Sequence, residues 1–147
     1  MFKKFDPKAA LEEIYRKAFS RESFRVKPGE YDAVIDKVSF SEAWKKGNGC
    51  HLILVWDLLT TLPEGVNKAT AQQRISCDLV DGELATGPYT NKRLGDLQAQ
   101  FGLNEDGDFK FTDFVGKSAR VLVENQDYTD NSGQPAVRTE VVSIITE

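Results

Sequence analysis

A tryptophan followed by two lysines, Trp44-Lys45-Lys46, stands in a polar stretch that ends in Gly47-Asn48-Gly49. An indole stacks on the face of any nucleobase, which is worth about 1–3 kcal/mol per base, and a neighbouring lysine offsets phosphate charge. Tyr128 lies in a second turn-rich run, Asp127–Pro135, and Arg138 follows it. The same residues have plainer uses. Trp44 can fold back onto the end of a barrel, Tyr128 can pack a turn, and Lys45 and Lys46 can serve solubility alone. Residues that make or break bonds are scarcer. His51 is the only histidine, and no serine or cysteine sits in a nucleophile elbow. Gly47-Asn48-Gly49 lacks the Lys-Ser/Thr ending of a phosphate-cradling loop. Cys50, Cys77 and His51 are too few for a zinc site. The run Asn104-Glu105-Asp106-Gly107-Asp108 has calcium-type residues without the ligand spacing or closing glutamate of a calcium loop, so a solvated turn is expected there. The expectation is a protein with no catalytic residue, no metal and no cofactor. A magnesium-stimulated nuclease or other hydrolase is the remaining catalytic alternative.

Charge is divided unevenly along the chain. Of the 147 residues, the first 27 carry eight bases and four acids (net +4), and the rest carry 11 bases and 19 acids (net −8). A basic arm on an acidic body is unlike a strongly basic duplex-binding domain. It is compatible with a single-strand groove, where local charge and stacking rings supply much of the contact. No apolar run approaches the roughly 20 residues that span a bilayer, and Met1-Phe2-Lys3-Lys4-Phe5-Asp6 does not read as a secretory signal. The cytosol is the expected compartment, where Cys50 and Cys77 stay reduced.

The elements that must position these residues follow from periodicity. Asp6-Pro7 is a helix start, and Leu11, Ile14, Tyr15, Ala18 and Phe19 form one apolar stripe, which predicts a helix over about 7–19. Lying across the barrel and docking a partner chain are its two uses. After Pro28-Gly29 the period becomes two. Tyr31, Ala33 and Ile35 alternate with acids, and Val38 and Phe40 continue after a bulge. An apolar strand runs from His51 to Leu59 and another covers about Gln72–Val80. Matching their apolar faces as a hairpin places Cys50 near Cys77 and Leu52 near Ile75, with Trp56 in the core. His51, Ile53, Arg74 and Gln72 then share the outward face. Thr90 or Asn91 caps a second helix with Leu94, Leu97 and Phe101 on one side and Gly102 as terminator. Its Lys92-Arg93 reads as a solvated charge pair. Phe109–Phe114 forms a strand or a short helical turn. Two last strands follow, Ser118–Asn125 with Ala119, Val121 and Val123 inward, and Ala136–Thr146 with Val137, Val141 and Ile145 on one side.

Three strands, a helix and two strands is the chain order of the OB-fold, a five-stranded Greek-key barrel. An open α+β sandwich uses the same elements. The predicted fold is therefore mainly β, an OB-type barrel with a helix between strands 3 and 4 and an N-terminal helical arm. The arm covers residues 1–27 and the OB domain residues 28–147. Such barrels bind oligonucleotides or oligosaccharides across strands 2 and 3, between the loops joining strands 1–2 and 4–5. That geometry selects Trp44, Lys45, Lys46, His51, Ile53, Arg74, Tyr128 and Arg138 as nucleic-acid-binding candidates.

Four motifs add a likeness. Pro28-Gly29-Glu30-Tyr31 opens the first strand and Lys46-Gly47-Asn48-Gly49 leads into the second. Lys92-Arg93-Leu94-Gly95-Asp96-Leu97 precedes Phe101-Gly102-Leu103, and Phe114-Val115-Gly116-Lys117 precedes Ala119-Arg120-Val121. In this order they resemble a bacteriophage and prophage family of unknown function, likened to single-stranded DNA-binding proteins and encoded beside replication and recombination genes. The likeness covers about residues 28–145. It implies an OB-fold and protection of single strands in phage replication or recombination, in the host cytoplasm, and transfers no binding residues. Many bacterial single-strand binders recruit partners through an acidic tail, and with Ile145-Thr146-Glu147 reading as the end of a strand, recruitment through such a tail is not expected. The expected function is sequence-tolerant, non-catalytic binding of single-stranded DNA, with replication or recombination proteins as further partners. The alternative is an interaction or assembly module, for another protein or a second copy of the chain.

Overall fold

The computed structural model describes residues 4–14, 24–103 and 109–145. Alternation of apolar and polar side chains builds β1 (Gly29–Phe40), β2 (Gly49–Leu59) and β3 (Thr70–Val80). Ala33 and Ile35 point inward from β1; Cys50, Leu52, Leu54, Trp56 and Leu58 do so from β2; Ala71, Ile75 and Cys77 do so from β3. A two-residue strand, β4 (Glu83–Leu84), folds back on the end of β3. After α2 (Lys92–Gln100) and a single 3-10 turn (Phe111–Phe114) come β5 (Ser118–Thr129) and β6 (Pro135–Ile145).

The five long strands close on themselves. β1 pairs antiparallel with β2 and β5, β2 with β3, and β5 with β6, while β3 and β6 meet in parallel through Gln72 and Glu140. The result is a closed, mixed five-stranded barrel of the OB type, and the open-sheet alternative does not apply. The hairpin register is the one that the apolar faces dictate: Cys50 opposite Cys77, Leu52 opposite Ile75, Ile53 opposite Arg74. Trp56 is fully buried, and its indole N–H donates to Oε1 of the buried Gln73 at 3.0 Å, so each gives the other a partner inside the core.

The bulge expected in β1 falls at Asp36, between the pairs Ile35–Trp56 and Lys37–Val55. One extra residue reverses the parity of everything beyond it. Val38 therefore faces the core, and Lys37 and Ser39 face out. At the barrel end, Phe101, Phe109, Phe111 and Phe114 pack ring to ring at 5.2–6.1 Å, and Phe101 reaches Trp56 at 6.2 Å. α2 buries Leu97 against β3 and ends at Gly102, whose φ of +63° costs a glycine little. Asn91 precedes this helix without capping it by its side chain. Its amide serves the β3 edge, accepting from Asp78 N and donating to Asp78 O and Ala85 O.

Three expectations need correction. The N-terminal helix α1 spans Pro7–Glu12, with Asp6 Oδ1 accepting from Lys8 N and Ala9 N, and Glu13 is already extended. Leu11 and Ile14 are 86% and 80% exposed, so this helix does not lie across the barrel; Tyr15, Ala18 and Phe19 fall outside the described residues. Among the described residues that precede the first strand, Arg25 donates to Val137 O and Val26 is a core residue. The fourth long strand is longer than expected, because cross-strand pairing continues through Tyr128–Ala136 to Thr129–Pro135. In β6 the register shifts opposite Leu122/Val123, so Ile144, not Ile145, packs against the core beyond Val141. The calcium-type run 104–108 lies outside the described residues. Among the described residues no helix is long and apolar enough to cross a membrane.

Candidate functional site

The outward side of β1, β2 and β3 carries three cross-strand rows. Lys37, Val55 and Gln72 form one, and Ser39, Ile53 and Arg74 the next. Ser41, His51 and Ser76 form the third, in which Ser41 N donates to His51 O and His51 N donates to Ser41 Oγ at 2.8 Å. Each row is two residues from the next, and the outer two are about 13 Å apart along β3 at roughly 3.3 Å per residue. Arg74, at the centre, makes no hydrogen bond or ion pair among the described residues. Ile53 beside it is half-buried, giving an apolar spot between polar neighbours.

Trp44 closes one end of this face. Its loop is tied down by hydrogen bonds from Trp44 N to Gly49 O and from Gly47 N to Trp44 O. The indole lies over Gly49, where an added Cβ would stand 2.6 Å from Cζ3, and against the His51 ring at 5.4 Å between centroids. The fold-back and the exposed reading are thus both partly realised: one side of the ring is packed, yet the residue remains 40% exposed. Lys45 and Lys46 beside it are exposed and make no ion pair among the described residues.

The other end is concave. Arg25, Gln72, Arg74, Tyr128, Arg138 and Thr139 are among the residues lining a groove of about 410 Å³. Tyr128 belongs to the stem of the β5–β6 hairpin rather than to its loop, which shortens to residues 130–134. It is 38% exposed, and Arg138 lies over its ring with Cζ 4.9 Å from the centroid. The Arg138 guanidinium also forms an ion pair with Glu140, two residues along the same strand face. Asp130 shapes the loop: its Oδ1 accepts from Ser132 N, Ser132 Oγ and Gln134 N. These bonds, the Ser132 hydroxyl first, hold its carboxyl below the usual carboxylate range.

His51, Ile53, Arg74, Tyr128 and Arg138 therefore share one side of the barrel, with Trp44 packed against His51 and Lys45 and Lys46 next to it in the same loop. His51, Ile53 and Arg74 form the middle of that side, Trp44, Lys45 and Lys46 one end, and Tyr128 and Arg138 the other. Two contributors escaped the sequence reading. Lys37 could have been found, because placing Val38 inward after a bulge obliges Lys37 to point outward. Arg25 had no signal, being one of several arm charges in the sequence. Lys92 is not part of this surface; it pairs with Asp96 at 2.8 Å one turn along α2. Among the described residues no three of His, Cys, Asp and Glu are grouped to hold a metal ion.

No protein-family model matches the chain, and neither does any curated protein. Geometry and chemistry alone carry the functional reading.

Proposed function

We propose that this domain binds single-stranded DNA, tolerant of sequence and without catalysis, in the replication or recombination of a phage-type genome in the cytosol. The observation that carries the reading is an outward face with a half-exposed ring at each end, Trp44 and Tyr128, and between them Arg74, whose guanidinium makes no ion pair among the described residues. Rings accept bases of any identity, and cations spaced along the face accept the phosphates between them. The acidic balance of the body does not oppose this, because Arg25, Lys37, Arg74 and Arg138 gather on the same side.

Titration of fluorescent oligo-dT at low and moderate salt tests the proposal. Saturable binding is expected, with log K falling against log salt by about 0.7 per phosphate neutralised. Trp44→Ala and Tyr128→Ala should each weaken it by about 5- to 150-fold, the equivalent of about 1–3 kcal/mol. A flat titration at low salt removes the proposal.

One observation favours a second reading, as an assembly module. Phe5, Leu11 and Ile14 of the arm are 78–86% exposed around a six-residue helix, far shorter than a helix that is stable alone. A partner protein or a second copy would cover them. Mass measurement in solution with and without residues 1–23, a cut that spares Val26, separates the two readings.

A further inference from the structure

The two ends of the face differ in kind. The Trp44 end offers a ring packed on Gly49 and His51 and two exposed lysines. At Tyr128 the surface is concave, and its 410 Å³ lies within the roughly 300–1,000 Å³ of small-molecule pockets. We propose that this groove is a discrete nucleotide pocket that anchors the strand by a single residue of DNA, with one phosphate between Arg25 and Arg74 and its base on the Tyr128 ring. The inference rests on the single-strand reading and adds where the strand is gripped and how little of it suffices.

Charge supports a phosphate there. Three guanidinium groups line the groove, and one, Arg138, is neutralised by Glu140. Arg25 and Arg74 make no ion pair among the described residues, and each phosphate of a strand brings one negative charge. A further acid, Asp57, stands opposite Thr70 at the groove's edge; nearby Lys68 is held charged first by its 2.8 Å ion pair with Asp36 and only in smaller part by Asp57. Arg25 is also preorganised. Its Nη2 donates to Val137 O at 3.2 Å, which fixes the fork at the groove wall while the rest of it stays available. Planar forks of this kind suit phosphate oxygens better than a point charge does.

The remaining contacts suit a base. Arg138 already occupies one side of the Tyr128 ring, so a base enters against the exposed remainder of the phenol. Gln72 and Thr139 line the same space with an amide and a hydroxyl. The Thr139 hydroxyl donates to Asn125 Oδ1 at 3.2 Å and is left as an acceptor, while the Gln72 amide both donates and accepts, so it tolerates different base edges.

The probe is thymidine 3′,5′-bisphosphate, used on the full chain both directly and as a competitor of fluorescent oligo-dT, with inorganic phosphate and thymidine as separate arms. Saturable binding of the bisphosphate and displacement of the oligonucleotide are expected. Arg25→Ala and Arg74→Ala should each weaken the bisphosphate by about 10- to 100-fold, the scale of a lost charged hydrogen bond. Trp44→Ala should leave it unchanged while still weakening oligo-dT. Circular dichroism confirms that the variants, all at exposed positions, keep the barrel. Oligo-dT binding that the bisphosphate does not compete overturns the pocket and leaves the single-strand reading standing. Bisphosphate binding without oligo-dT binding keeps the pocket and removes that reading. Inorganic phosphate binding as tightly as the bisphosphate overturns the role of Tyr128.

Discussion

The guanidinium carbon of Arg138 lies 4.9 Å from the centre of the Tyr128 ring, across the β5–β6 hairpin. Tyr128 is paired directly with Ala136, so Arg138 is its diagonal neighbour, within reach of a long side chain. Cation and ring hold each other in place, and Glu140 holds the cation from its other side. The carboxylate thus competes with any phosphate that approaches Arg138. Replacing it by the neutral isostere, Glu140→Gln, should tighten oligo-dT binding several-fold and steepen the salt slope by about 0.7. Unchanged affinity and slope in the same titration would show that Arg138 does not meet the phosphate chain.

Asp130 governs the same hairpin from its tip. Three donors converge on its Oδ1, and its lowered pKa means that folding favours the charged form. Such a group adds stability above its ordinary value of 3.8, and that contribution disappears as pH falls through the lower value in the folded state. Asp130→Ala should therefore speed amide exchange at Ser132 and Gln134 and weaken oligo-dT binding, while the barrel melts nearly as before. Hydrogen exchange read by NMR checks this, and Asp130→Asn, which keeps an acceptor without the charge, should fall between the two.

The barrel was legible because most of its instructions are local parity. Alternation in β2 and β3 sets their register, and that register placed Cys50 against Cys77, buried Trp56 and exposed Ile53 and Arg74. The bulge was legible too, since Ile35 and Val38 cannot otherwise share a face. What parity does not encode is how far a hairpin runs. Asp127–Thr129 reads as the start of a polar turn, yet backbone pairing carries β5 through it and lifts Tyr128 onto a strand. The arm failed for a related reason. Leu11 and Ile14 repeat at helical spacing, but a stripe states only that a face is apolar, not that anything covers it. The groove needs Arg25, Arg74 and Arg138 from three distant segments, and no sequence spacing brings those together.

Gly49 offers a test of the Trp44 end. A methyl group there would meet Trp44 Cζ3 at 2.6 Å and the backbone oxygen of Cys77 at 2.9 Å. The indole can swing away, but the Cys77 carbonyl, fixed in the β2–β3 ladder, cannot. Gly49→Ala should cost about 1–3 kcal/mol, as overpacking does, and should shift Trp44 towards solvent. A red-shifted emission spectrum together with a lower urea midpoint is the expected result. If both stay at wild-type values, Trp44 is not seated on Gly49, and its contribution to binding would need another account.

Cys50 and Cys77 stand directly opposite each other in the barrel wall, both buried. Burial, foremost, pushes the Cys77 thiol above its ordinary value of 9.0, and the neighbouring Cys50 adds to the effect. A raised value means that the folded chain holds this proton more tightly than the unfolded one. The resulting stability is complete below pH 9.0 and is lost as pH rises through the folded value. The thiolate is also the reactive form, so the native chain should react slowly with a thiol-specific disulfide reagent at neutral pH and quickly once urea unfolds it. Urea midpoints measured on either side of pH 9 should fall with pH, and Cys77→Val, which cannot ionise, should fall less. Lysines and tyrosines titrate in the same range, so the difference between the two chains, rather than the fall itself, isolates the thiol. Parallel curves would show that this thiol is as easily ionised inside the barrel as outside it.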